Sequence, residues 1–262
     1  MMQPHLFRTK IFTLFFSGIF FSTALAEEAP SIHFLMEKVQ KNMDLTKDAT
    51  SRVVLIQQKA EQGTKTIDMI YYRRDTDDSF LIVMVAPENE KGNGYLRVGD
   101  NFWMYRVNTR TFQHINRNES IAGTDAEGDD FEKRKLTELY TADTDAPKEE
   151  IITTTMLGKI PVYRFHVKAK VNDVDYPKKI YWVRTDNYLP LKEQSFSLSN
   201  TLMQTVYYRK YTMINDRYVP VESIFIDEFE KGNKTMVEVS NVDTDTLDDR
   251  IFTKAYLENL SR

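Results

Sequence analysis

Between Ile32 and Met43 the apolar residues Ile32, Leu35, Met36, Val39 and Met43 recur at helical spacing, with Glu37, Lys38 and Lys41 opposite. That period predicts an amphipathic helix burying one stripe, and Ser31 is placed to cap it. After Thr50 the pattern changes to short runs of β-branched and aromatic residues. These predict strands near residues 51–59, 66–73, 80–85, 95–98, 102–107 and 111–115. After an interruption, strands resume near 150–156, 161–170, 178–184, 191–198, 202–212, 218–229 and 235–241. Turn formers such as Gly63, Gly99-Asp100, Gly158-Lys159, Asn215-Asp216 and Gly232-Asn233 sit at the reversals. The spacing leaves no room for crossover helices, so the sheet is expected to be antiparallel.

Two strands differ in kind. Tyr163, Phe165 and Val167 alternate with Arg164, His166 and Lys168, which predicts one buried and one wet face. Residues 80–85 are apolar throughout, so both faces should be covered, one of them by the 32–43 helix. The interruption, about 116–148, opens with a polar loop and then predicts a short helix over 131–140, capped by Asp129 or Asp130. Its apolar side is Phe131, Leu136, Leu139 and Tyr140. A connection of this length reads either as a lid or binding loop or as a surface excursion. The chain closes on a short helix capped by Thr253, with Phe252 and Leu257 at the spacing of a hydrophobic staple. The expected fold is mainly β: a single curled antiparallel sheet forming an incomplete barrel, with an N-terminal helix, a lid-like helical insertion and a short C-terminal helix.

The first residues follow a different logic. Arg8 and Lys10 precede an apolar run from Ile11 to Phe21, which ends at Ala24-Leu25-Ala26 before Glu27 and Glu28. That order predicts a secretory signal peptide over 1–26. Eleven residues are too few to span ~30 Å of hydrocarbon, and no later segment is apolar enough to do so. Removing 26 of the 262 residues leaves 236 in one domain, 27–262. The expected product is exported to the periplasm and does not span the membrane.

Composition narrows the chemistry. With no cysteine, the chain has no disulfides, thiol catalysis or Cys-bound zinc. A net charge of −4 argues against nucleic acid as partner. Beyond the leader, His33, His114 and His166 lie outside metal-ligand spacing of one another, and no nucleophile elbow or phosphate loop occurs. No catalytic residue, metal or cofactor is therefore expected. The acidic groups Asp125, Glu127, Asp129, Asp130 and Asp243, Asp245, Asp248, Asp249 lack the glycine and distal glutamate of a calcium loop and read as turns and caps. The basic runs Lys133-Arg134-Lys135 and Lys178-Lys179 read as solvated faces. What the chain does have is apolar bulk: 14 Tyr, 16 Phe, 2 Trp and 11 Met. A one-layer antiparallel sheet with few helices must curl, pair or enclose something.

Several stretches are similar to a known family. They are YYRRD (Tyr71–Asp75), the run from Phe80 to Arg117 with its Pro turn and aromatic hairpin, GTDAEGDDF (Gly123–Phe131) and IFTKAYLENL (Ile251–Leu260). Together they resemble a longer branch of the outer-membrane lipoprotein-sorting proteins, the LolA-like periplasmic carriers. Thr124 and Ala126 depart from that branch, which has Ser and an aromatic there. The resemblance covers about 49–260 and implies a half-barrel whose mouth is closed by helices around an apolar cavity for lipid or lipoprotein acyl chains.

Inward positions of alternating strands then supply candidate cavity residues: Met69 and Tyr71, Leu96 and Val98, Trp103 and Tyr105, Tyr163 and Phe165, Ile224 and Ile226. Phe131, Leu136, Leu139 and Tyr140 are the lid candidates. Arg52, Arg73 and Arg97 are candidates for a guanidinium inside the cavity. The expected function is a non-catalytic carrier in outer-membrane lipoprotein sorting. An alternative is an accessory protein binding an inner-membrane ABC-type permease or large exporter. A remoter one is an envelope polymer hydrolase using Asp129 and Asp130.

Overall fold

The computed structural model describes residues 30–43, 47–74, 76–116, 119, 121, 135–148 and 151–261. The expected signal peptide, the acidic loop with Asp125, Glu127, Asp129 and Asp130, Lys133 and Arg134 of the first basic run and the lid candidate Phe131 lie outside these residues.

Helix α1 (Ile32–Met43) opens the described chain, and the Phe34 amide donates to Ser31 Oγ at 3.2 Å. Six strands follow: β1 (Ala49–Lys59), β2 (Gly63–Arg74), β3 (Ser79–Ala86), β4 (Gly94–Val98), β5 (Asn101–Arg106) and β6 (Thr111–His114). After the interruption come α2 (Leu136–Leu139) and β7 (Tyr140–Ala142), then β8 (Ile152–Leu157), β9 (Ile160–Ala169), β10 (Lys178–Arg184) and β11 (Pro190–Phe196). β12 (Leu202–Ile214), β13 (Arg217–Asp227), β14 (Lys234–Asp243) and α3 (Lys254–Leu260) complete the chain.

All these strands join one antiparallel sheet in the order β6-β5-β4-β3-β2-β1-β14-β13-β12-β11-β10-β9-β7, with β8 also on β9. The topology is two meanders, each built from neighbouring strands. Two pairings are non-sequential: β7 joins β9 at one edge, and β1 with β14 fuses the meanders at the centre, where Val53 faces Val239 and Leu55 faces Val237. The sheet does not close into a barrel among the described residues. It does bend, and β12 carries two register irregularities against β13 around Lys210, the kind of bulge that sharpens local twist.

Each face of the sheet is covered differently. On the inner face, Val53, Leu55, Ile67, Met69, Phe80, Ile82, Met84, Tyr95 and Phe102 form one cluster over β1 to β5. At the other end α1 lays Ile32, Leu35, Met36 and Val39 on Phe165 and Val167 of β9 and Tyr181 and Val183 of β10. α1 therefore does not cover 80–85 as the pattern suggested. The outer face of β3, Leu81 and Val83, is covered by Phe252 and Leu257 from the C-terminal segment. Thr253 Oγ1 accepts from the Tyr256 amide at 3.2 Å and caps α3. Gly94 makes this docking possible. A Cβ there would stand 2.5 Å from the Ile82 carbonyl oxygen and 2.6 Å from Leu257 Cδ1. The acidic cluster before α3 serves turns: Asp243 accepts from the Asp245 amide, and Asp248 caps the 3-10 turn Asp249–Phe252.

Candidate functional site

Between the two inner clusters the concave face is left unfilled, and a cavity of about 500 Å³ opens there. That volume lies within the ~300–1,000 Å³ usual for small-molecule sites. Residues of seven consecutive strands, from β2 through β1 and β14 to β10, line it. Laid flat, seven strands at ~4.8 Å spacing would be about 29 Å across. Shared lining of one cavity therefore requires the sheet to curl around it.

Strand parity decides which side chains face inward. β1 presents Ser51, Val53 and Leu55, β14 presents Val237 and Val239, β13 presents Ser223 and Phe225, and β12 presents Gln204, Val206 and Tyr208. The pairing carries this parity across the sheet: Val53 opposite Val239, Ser223 opposite Val237, Val206 opposite Phe225, and Glu193 opposite Val206. The roof comes from Leu136 and Leu139 of α2, Tyr140, Met43 of α1 and the segment Val174-Asp175-Tyr176.

Of the sequence-derived cavity candidates, Tyr71 lines this cavity. Met69 shares its face but packs into the inner cluster beneath Met84 and Phe80. Phe165 lies under α1, with Tyr163 at the margin of the same cluster. Leu96, Trp103 and Tyr105 belong to the outer cluster with Phe252 and Leu257, and Val98 is exposed. Ile224 and Ile226 alternate with the lining residues Ser223 and Phe225, so they point to the other face. Of the lid candidates, Leu136, Leu139 and Tyr140 line the roof. Among the three arginines, Arg73 reaches the cavity. Arg52 pairs with Asp68 and donates to it through Nε at 2.9 Å. Arg97 is buried and donates to the Gly99 carbonyl at 2.9 Å.

The pattern in the sequence gives no hint of the polar wall. Lys179 and Glu193, from neighbouring strands β10 and β11, form an ion pair at 2.6 Å, with side chains 19% and 9% exposed. Lys179 is therefore not on a solvated face, whereas its neighbour Lys178 is, bonding Asn200 Oδ1. Glu193 Oε2 also accepts from the Tyr208 hydroxyl at 3.3 Å. The Lys179 ammonium lies 5.6 Å and 5.8 Å from the Tyr140 and Tyr176 ring centres, a cation–π geometry. Burial acts to lower the Lys179 pKa, but Glu193 and the surrounding phenols outweigh it and hold the pKa well above the usual lysine range. Burial, and then the Glu193 charge, push Tyr181 and Tyr208 well above the usual phenol range. Lys179 thus stays ammonium, and the two phenols stay neutral, across the physiological range.

Among the described residues no group of three or more acidic, His or Cys side chains is arranged to hold a metal ion. No described helix is long and apolar enough to cross a membrane.

Comparison with solved structures places the fold. A LolA superfamily protein from Nitrosomonas europaea superposes with TM-score 0.71 at 18% identity, covering 87% of this chain and 100% of that one. A domain described as an outer membrane lipoprotein-sorting protein from Vibrio parahaemolyticus gives 0.73 at 16% identity, over 86% and 97%. A DUF1329 family protein from Desulfovibrio piger gives 0.74 at 19% identity, again over 86% and 97%. No curated protein matches the sequence. A family model described as "Uncharacterized protein" matches residues 76–259, more than half of the chain. The chain therefore belongs to that family, and its fold is the LolA-like fold of the lipoprotein-sorting proteins.

Proposed function

We propose that this protein is a periplasmic carrier, without catalysis, that holds the acyl chains of a lipid or lipoprotein in its concave cavity. The observation that carries the proposal is the cavity itself: an apolar trough of about 500 Å³, walled by Val53, Leu55, Val206, Phe225, Val237 and Val239 and roofed by α2. A sheet face this apolar is ordinarily filled by protein. Burying acyl carbons there would contribute ~0.8 kcal/mol per methylene, so a dozen would supply about 10 kcal/mol before the costs of ordering. That scale suits extraction of one chain from a bilayer. Release then depends on movement of the roof. The signal peptide 1–26 would deliver the single domain 27–262 to the periplasm.

The lipoprotein-sorting names attached to proteins of the same fold agree with this function. Gentle purification from the periplasmic fraction, followed by mass spectrometry of extracted lipids, tests it. The expected result is co-purified acyl lipid in near-stoichiometric amount, together with uptake of an acyl probe by stripped protein. Repeated absence of both overturns it.

A further inference from the structure

The charged side chains that line the cavity are Arg73, Asp175, Lys179 and Glu193. Their formal charges sum to zero. At the inner wall the balance is local, because Lys179 Nζ and Glu193 Oε1 are 2.6 Å apart. Glu193 is well supplied with donors, from Lys179 and Tyr208. It has no need of a cation from a ligand. Lys179 can donate three hydrogen bonds, and Glu193 takes one of them. The ammonium lines the cavity and retains donors for an acceptor oxygen.

Two kinds of acyl ligand would meet this wall differently. A free carboxylate seated against Lys179 would stand within a few ångströms of Glu193, in a site largely removed from water. Like charges repel strongly there, and the carboxylate would also forfeit its hydration. A neutral carbonyl oxygen accepts the same hydrogen bond with a far smaller desolvation cost. Its tail would then run towards the apolar strands β13, β14 and β1.

Building on the carrier function above, we infer that the cavity selects acyl chains with an uncharged ester or amide head, whose carbonyl oxygen accepts from Lys179 Nζ, and that Glu193 excludes free fatty-acid carboxylates. The raised Lys179 pKa keeps that donor charged at working pH.

The test is displacement of a fluorescent acyl probe from the full chain at neutral pH. The competitors are dodecanoate, 1-monododecanoylglycerol and N-dodecanoylglycinamide, each below its micellar concentration. In the wild type the ester or the amide should displace the probe at a concentration about tenfold or more below dodecanoate. Whichever of the two is tighter identifies the linkage. Glu193→Gln should strengthen dodecanoate by about tenfold and abolish the discrimination. Replacing the pair together, Lys179→Met with Glu193→Leu, should weaken the ester and amide. Dodecanoate equal to or better than both in the wild type overturns the inference, and so does a folded Glu193→Gln protein with an unchanged ratio. The wild-type ratio decides alone if the variants do not fold. Probe binding with the wrong preference overturns this selectivity and leaves the carrier function standing, whereas no binding of any acyl compound removes both.

Discussion

Lys179 and Glu193 show how much a single register position decides. In sequence, Lys178-Lys179 is a basic pair on a strand, and strands with one wet face carry many such pairs. The pairing of β10 with β11 sets Tyr181 opposite Glu193 and Lys179 opposite Ser195, and this turns one lysine of the pair inward and the other out. The same network makes a prediction about pH. Lys179, Tyr181 and Tyr208 all hold their protons more tightly folded than unfolded. As pH rises past about 10, where unfolded tyrosine and lysine begin to lose protons, the unfolded chain binds fewer protons than the native one and stability falls. Chemical denaturation between pH 8 and 11 should show that decline, and Tyr208→Phe should make it shallower. A flat profile would contradict the buried network. Gly94 is decided by space. Gly94→Ala would drive a Cβ into the Ile82 carbonyl and Leu257, and an overpacking cost of about 1–3 kcal/mol is expected in a urea titration.

At the scale of elements, the C-terminal helix acts as a plug on the outer face. Leu257 is fully buried against Leu81, Val83 and Leu96, so Leu257→Ala should destabilise by about 2–5 kcal/mol. The cavity lies on the other face, and probe affinity measured below the transition should be unchanged. The roof should behave in the opposite way. Leu139→Asp places a charge over the cavity, so it should speed probe release in a stopped-flow experiment while changing thermal stability little. Most of this element plan was legible in the sequence. The strand runs, α1 with its Ser31 cap and α3 with its Thr253 cap follow from period and capping chemistry, which are local. The choice of inner face was not legible. β13 offers Ile224 and Ile226 as the more apolar parity, yet Ser223 and Phe225 face the cavity because β12 and β14 fix the register. Leu96, Trp103 and Tyr105 are drawn outward for the same kind of reason, since α3 needs an apolar bed. β7 escaped notice because Tyr140 reads as the end of a helix and Thr141 and Ala142 as the start of a polar tail.

At the scale of the whole molecule, the two meanders meet at the β1–β14 pairing, and the cavity lies over that seam. The inner clusters fill the trough at both ends and leave the middle unfilled beneath the roof. The 41% of hydrophobic residues is thus divided between a core and a cavity wall. Filling the cavity should therefore abolish binding without unfolding the protein. Val237→Phe is expected to lower acyl-probe affinity by about tenfold or more while leaving the circular dichroism spectrum intact. Acyl binding in the concave cavity is read most directly by photo-crosslinking with a diazirine-bearing acyl chain, followed by mass spectrometry of the labelled peptides. Adducts are expected on the concave face, at Val53, Val206, Phe225 and Val237. Adducts confined to the opposite face, at Trp182, Ile224 and Ile226, or no specific adduct at all, would contradict it.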